Sequence, residues 1–390
     1  MKYKTSSCPD KSRLGRVGGQ AVLEGVMMKA GNRTVTSCRK DDGSIVVTDD
    51  TFVSVRKKHK ILDLPLLRGI VNFIEMMALS VKTLEASTAA LGLEEEEESK
   101  FEKWLKKHLG MNATKFIMFI GVVLGLALSV GLFVVLPSLV GSGINWLVGL
   151  GGMELGIWVA VVEGIAKVAI FILYLWLVSF MPEIKRTFMY HGAEHKTIAT
   201  FEAGIELTPE NCKEYTRYHP RCGTSFMFFM ILLGIIAGLF VRILWEDIPT
   251  VYYILIRLAI LPLVVGIGYE FIMFAGKHDN FLVRMLSAPG LWVQRITTKE
   301  PTLDMLEVAI VSTKCALRDE IPEFMEFYNA RGWEKPVVAE AEEADAPTEA
   351  TTPETDECTA ETPVEEATEP TLADVEVPET SDEVSTEDGE

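Results

Sequence analysis

Two histidines four residues apart, with a glutamate between them, occur in "HGAEHK" (191–196). At about 100° per residue, a helix puts His195 about 40° round from His191 and Glu194 about 60° the other way, so the three share one face. Imidazole nitrogens suit zinc and related transition metals, and a carboxylate beside them completes such a site or acts as a general base. A hydrated helix surface would carry the same residues, so their neighbours decide. "YHPRCGTS" (218–225) supplies His219 and Cys222, "GYEFI" (268–272) supplies Glu270, and "KHDN" (277–280) adds His278 and Asp279. The metal-ligand candidates are therefore His191, His195, His219 and Cys222. Glu194 or Glu270 is the candidate to take a proton from water activated at an open metal position. The cofactor expected is a divalent transition metal, zinc by the mixture of donors. H-x-x-E-H is also the inverted zincin pattern, but nothing else in the chain gives it a proteolytic context.

These residues lie between long apolar runs. Residues 115–137, 157–181, 226–245 and 251–275 are each long enough to cross a bilayer, which takes about 20 helical residues. Pro262 would kink the fourth, and a bundle tolerates that. Lys and Arg are absent from 138–156 and 246–250. They recur in 182–225 as Lys185, Arg186, Lys196, Lys213, Arg217 and Arg221, and flank the outer spans as Lys103, Lys106, Lys107, Lys277 and Arg284. The excess of basic residues predicts a multi-pass protein of the cell membrane with both termini, and "HGAEHK", in the cytoplasm. No signal peptide is expected, since the first hundred residues are polar and mixed in charge.

The formal charge of −18 over 390 residues misleads until it is located. Residues 336–390 hold 20 Asp/Glu and no Lys or Arg, leaving 37 basic against 35 acidic side chains in the rest. That tail has no aromatic residue and reads as disordered. The balance of the remainder gives no expectation of a nucleic-acid partner. The lipid bilayer is the expected partner, together with an unidentified substrate or membrane protein. The six cysteines include no CxxC pair and read as reduced cytoplasmic thiols.

The full expectation is a mainly α, four-span helical membrane protein with a small N-terminal β element and cytoplasmic helices. Residues 1–60 form the β element: 17–56 alternate, a hairpin turns at Asp41-Asp42-Gly43, and Glu24 sits inside an apolar strand over 18–29. Residues 61–114 hold an interfacial helix over 65–91 and a charged linker. On that helix Arg68, Asn72, Glu75, Lys82 and Glu85 make one polar stripe. Spans fill 115–181 and 226–275, and 182–225 is the cytoplasmic loop carrying the His/Cys motif. Residues 276–335 form a helical cap, with helices over 302–319 and 320–330. Within the spans Glu163, Lys167, Arg242 and Arg257 form a second polar cluster, read as internal ion pairing or as an ion path.

"GGQAVLEGVMMK", "HGAEHKTI", "YHPRCGTSF", "GYEFI" and "APGLWVQRITTKEP" resemble the YqhQ-like family of bacterial membrane proteins, domain of unknown function 1385, over roughly residues 15–320. The resemblance implies an integral membrane protein and a metal-dependent enzyme without an agreed substrate. Its motifs fall on Glu24, His191, Glu194, His195, His219, Cys222 and Glu270. A metal-dependent, hydrolytic activity at the cytoplasmic membrane face is the leading expectation. A non-enzymatic scaffold or accessory factor in membrane-protein assembly or transport is the alternative, and an ion transporter a second one.

Overall fold

The structure, a computed structural model, describes residues 12–92, 113–153, 155–245, 248–275 and 281–331. The acidic tail, the charge run at 93–100, "KHDN" with His278 and Asp279, Cys8 and Cys358 lie outside them. Four described helices are long and apolar enough to cross a membrane, over Ile120–Gly149, Trp158–Val178, Gly223–Leu244 and Thr250–Phe274. With a small N-terminal sheet beside them, the chain is mainly helical.

The sheet is an antiparallel meander of β1 (Val17–Val22), β2 (Gly25–Ala30), β3 (Arg33–Arg39) and β4 (Ile45–Thr51). The turn at Asp41–Gly43 joins β3 to β4, Arg39 pairing with Ile45 and Gly43 at φ +84°. The single strand expected over 18–29 is instead two, paired Val22 to Gly25 through a two-residue turn. Glu24 sits in that turn at φ +47°, off the strand altogether. Gly25 permits the reversal, because a Cβ there would run into the Ser37 carbonyl of β3.

Helix α1 (Leu67–Ala90) lies against β1 and the last span. Its polar stripe faces protein: Arg68 holds Glu270, Glu75 accepts from the Ser54 hydroxyl and Val55 N–H, and Lys82 meets Asp50 at 2.9 Å. Phe73, Ile74, Met77 and Leu84 point outward instead. An amphipathic helix at a bilayer puts its apolar side into lipid, so this arrangement suits a membrane surface and not water.

The first span departs from its expected end at Pro137. Helix α2 covers Ala113–Val130, makes one π turn at Gly131–Val135, and resumes over Leu136–Gly149. The π turn widens the helix just where the proline ring would meet a preceding carbonyl, so the chain passes through Pro137 without stopping. Most of the expected loop at 138–156 is therefore helix. Helix α3 (Trp158–Val178) returns antiparallel to it, and α4 (Pro182–Glu202) follows after a break at Ser179–Met181. A short α5 (Pro209–Glu214) precedes α6 (Gly223–Leu244) and α7 (Thr250–Ala275), the last two spans. The amphipathic α8 (Phe281–Thr297) runs along α6.

Helices α9 (Leu303–Ala316) and α10 (Pro322–Ala330) complete the fold. Expected as a cap, α9 is the centre of the core, with Leu306, Val308, Ala309, Val311 and Cys315 buried among Val26, Met28 and Val35 of the sheet and Tyr190, Ala193 and Phe201 of α4. The Ser312 hydroxyl lies 2.9 Å from Val26 O and 2.8 Å from Val35 O, which satisfies it inside this apolar layer. Segments from the start, middle and end of the chain thus share one core. Leu306→Ala should lower unfolding stability by about 2–5 kcal/mol through the cavity it leaves. Leu126→Ala, on the lipid-facing side of α2, should change it little. Thermal unfolding in detergent reads both, and equal effects would show that α9 is not the central helix.

Candidate metal centre

Helix α4 positions two of the three central side chains. Pro182 occupies its first turn, Glu183 favours the positive end of its dipole, and Gly204 at φ +73° lets the chain turn away at the other end. His191 and His195 come one turn apart, their rings 4.4 Å between centroids at 63°. The third, Cys222, is the N-cap of α6, its sulfur 3.5 Å from Thr224 N. Ligand atoms of His191, His195 and Cys222 all lie within 4.8 Å of one another.

The hydrogen bonds of the two rings decide what they present to each other. His191 Nδ1 is 2.9 Å from Thr297 O, and His195 Nδ1 is 2.6 Å from Arg217 O. A carbonyl oxygen only accepts, so each Nδ1 carries a proton and Nε2 is the nitrogen each ring can offer a metal. His191 Nε2 is 3.2 Å from Cys222 Sγ. Backbone carbonyls that orient histidines in this way are a usual support of metal sites.

Electrostatics favour the ligand forms. Burial, then the neighbouring His191, push His195 down to about 4, so it is neutral near pH 7. Burial alone would raise the Cys222 thiol, but hydrogen bonds with His195 and Thr224 bring it below its ordinary value. Burial pushes Glu194 up to about 7 against the pull of His191 and a hydrogen bond from the Gly19 backbone. Its Oε2 is buried with no hydrogen-bond partner among the described residues. A buried carboxylate oxygen left unpaired costs about 1–3 kcal/mol or more. Two imidazole nitrogens and an acidified thiol fit a zinc-type ion, and Glu194 stays outside the three-ligand group.

The other sequence candidates are placed differently. The His219 ring is 5.6 Å from that of His195, but its Nε2 faces Glu202 at 3.7 Å and it stays outside the three-ligand group. Glu270 accepts from both nitrogens of one edge of Arg68 and from Leu66 N at 3.3 Å, and is not drawn to the histidines. It holds Leu66 at φ +70°, a backbone state costly for leucine, at the entrance to α1. Glu24 receives the Arg186 guanidinium through two bonds and the Tyr190 hydroxyl at 3.3 Å. Both contacts are on α4, so Glu24 docks the first hairpin onto the helix of the site.

Several supports escaped sequence reasoning. Lys196, read there as one more topological cation, is 0% exposed; its ammonium donates to Lys213 O at 2.9 Å and Tyr215 O at 2.8 Å and meets Glu300 at 2.8 Å. That clamp holds the loop whose Arg217 carbonyl orients His195. Gln294, also fully buried, accepts from His219 N at 2.9 Å and donates to His219 O at 2.8 Å, tying "YHPRC" to α8. Gly192 lets α4 approach 297–301 so closely that a Cβ would run into Lys299 O. Gln294, Thr297, Lys299 and Glu300 all belong to "QRITTKEP". A polar run so close behind an amphipathic helix was the available signal.

With this geometry in view, the matching family model spans residues 64–319 and carries the description "Protein of unknown function (DUF1385)". The chain belongs to the DUF1385 family. A 309-residue alignment at 36% identity links it to "Uncharacterized protein YqhQ" of Bacillus subtilis (strain 168), covering 78% of this chain and 92% of that one. No solved structure matches it. Within this DUF1385 chain the matched region contains α4, the N-cap of α6 and "QRITTKEP", so the three groups and their supports fall inside it together.

Gly192→Ala should force α4 away from Lys299 and remove the Thr297 anchor of His191. Bound zinc after equilibration with one equivalent should fall at least about tenfold, since second-sphere losses cost 10–100-fold in affinity. Gly143→Ala, in α2 with open space around it, is the control for folding. Unchanged zinc in Gly192→Ala would mean that His191 needs no such anchor.

Proposed function

We propose that this protein is a membrane-embedded, metal-dependent hydrolase, its centre held by His191, His195 and Cys222. The observation that carries the reading is the convergence of two imidazole nitrogens, fixed by backbone carbonyls, on one acidified sulfur. An ion bound there would supply Lewis acidity, polarising a substrate carbonyl or phosphoryl oxygen and acidifying water. Glu194 takes the proton of the attacking water. Its unpaired oxygen and raised pKa suit a base poised near neutral pH. Glu270, engaged by Arg68, is less suited to that role. His219, braced between Glu202 and Gln294, keeps the Cys222 loop in place.

A second reading rests on one observation. Cys222 caps the N-terminus of α6, with its thiol pKa lowered and His191 at 3.2 Å, which is how a thiolate nucleophile is activated. Metal analysis of full-length protein purified without chelator separates the two. The metal reading expects about one equivalent of zinc, lost in His191→Ala, His195→Ala and Cys222→Ser and kept in Glu194→Gln. Metal-free wild-type protein whose Cys222 is alkylated fast at pH 7, and slowly in His191→Ala, would replace it with the thiol reading.

The site is proposed to face the cytoplasm, because basic residues crowd 182–225 and are absent from 138–156. Met153, exposed in the turn between α2 and α3, is the reporter. Met153→Cys should be labelled by an impermeant thiol reagent on intact cells, while wild type, with its cysteines inside, should not. The reverse pattern would invert the orientation.

A further inference from the structure

At the membrane face opposite the histidines, charge is concentrated inside the bundle. Glu163 of α3 is 2% exposed and accepts from Arg242 of α6 at 3.1 Å and Arg257 of α7 at 3.2 Å. Both guanidiniums also lie over the Tyr253 ring, at 4.5 and 5.2 Å. Gly141 of α2 gives the carboxylate room, because a Cβ there would touch Glu163 Cγ. One turn deeper on α3 lies Lys167, 7% exposed, with no hydrogen bond or ion pair among the described residues. Three cationic side chains therefore surround a single carboxylate where unpaired charge is most costly.

Hydrogen-bonding capacity is left over as well. Arg242 Nε and the Ser138 hydroxyl are buried with no partner among the described residues. Ser138 is one turn from Gly141 on α2, as Lys167 is from Glu163 on the antiparallel α3, so the hydroxyl and the ammonium lie at a similar depth. Gly234 of α6 leaves open space beside them: from a Cβ there, the Lys167 ammonium at 4.0 Å would be the sole atom within reach. Unused donors, excess positive charge and space together suit an anion. Guanidinium pairs with an ammonium and a hydroxyl match a phosphate's several oxygens better than they match a single-atom anion.

We propose that Lys167, Arg242, Arg257 and Ser138 bind a phosphate group, supplied by the headgroup of a lipid in the adjoining leaflet. The position favours a lipid source. Trp146, Trp158, Trp245 and Tyr252 are exposed at this end of the spans, as interfacial aromatics are. Arg242 is three residues, about 4.5 Å, below Trp245. A headgroup phosphate meets Arg242 by sinking slightly and must draw further in between α3 and α6 to reach Lys167, nine residues or about 13.5 Å below Trp158, whereas a free ion must leave water altogether. The site is independent of any metal at His191.

The test uses full-length protein in non-ionic detergent, with dioleoylphosphatidylglycerol, dioleoylphosphatidylcholine as control, or inorganic phosphate. Thermal unfolding and native mass spectrometry are the readouts. Phosphatidylglycerol should raise the wild-type transition and be retained, with affinity falling about tenfold in Lys167→Met, the loss of one charge-assisted contact. Lys167 has no partner to lose, so the variant without lipid should unfold at or above the wild-type temperature. Gly234→Val, which fills the open space and leaves every charge in place, should lose the lipid too. Glu163→Gln, which removes the competing carboxylate, should keep or tighten binding. A Lys167-dependent shift with inorganic phosphate alone would preserve the phosphate site and make its source soluble. If neither probe shifts the wild type, or Lys167→Met and Gly234→Val retain phosphatidylglycerol as wild type does, the cluster is a structural ion pair and the proposal fails.

Discussion

Helix Pro182–Glu202 is buried from Tyr190 to Glu202 with only His191 partly exposed, yet that stretch carries two histidines, two glutamates, a lysine and two threonines. Each buried polar group left without a partner costs about 1–3 kcal/mol, and a charged one more. Most of the architecture around this helix meets that demand. The Thr297 and Arg217 carbonyls take the histidines, Glu300 and two more carbonyls take Lys196, and Arg221 with Gly15 N–H takes Glu202. Two groups of the stretch keep no partner among the described residues, the Thr197 hydroxyl and Glu194 Oε2, and Glu194 is the one that interacts with His191 and Cys222. A nearly satisfied network whose unpaired carboxylate oxygen belongs to a residue interacting with His191 and Cys222 is what the proposed role of Glu194 as a base requires.

The apolar half of the fold meets a complementary demand. A helix as polar as α4 cannot bury itself, so α9, apolar on nearly every side, fills the space between it and the sheet. Chain order is irrelevant to that packing. The N-terminal meander, the central His/Cys segment and the C-terminal helix combine because none has enough apolar surface alone. Glu24 and Arg186 then register the first hairpin on α4, and Gly19 brings its backbone N–H to Glu194. The spans form the opposite surface. Their large exposed side chains face lipid, and α1 gives Arg68 to Glu270 of the last span and Glu75 to the Ser54–Val55 loop while Phe73, Ile74 and Met77 point outward.

The four spans, the hairpin at Asp41–Gly43 and the approach of "YHPRC" to His191 and His195 could all be read from the chain, but not that Cys222 and not His219 joins them. Hydropathy over about 20 residues, turn chemistry and the i, i+4 geometry of a helix are local properties, set by neighbours in the chain. The same reasoning misplaced Glu24, ended the first span at Pro137 and took α9 for a cap. In each case a distant segment overrode the local signal: Ser37 and Arg186 at the Glu24 turn, the facing α3 beyond Pro137, and the sheet around α9.

Tertiary structure alone decided what each of the two candidate carboxylates meets. Glu194 and Glu270 were both candidates for the base by residue type. Only the fold brings Arg68, 202 residues away, to Glu270, and leaves Glu194 Oε2 without a donor. The same holds for Lys167, Arg242 and Arg257, whose presence in the spans was plain while their partners were not. Whether a buried charge is neutralised depends on what the other helices place within about 4 Å of it. That distance is set by packing, and no spacing along the chain records it.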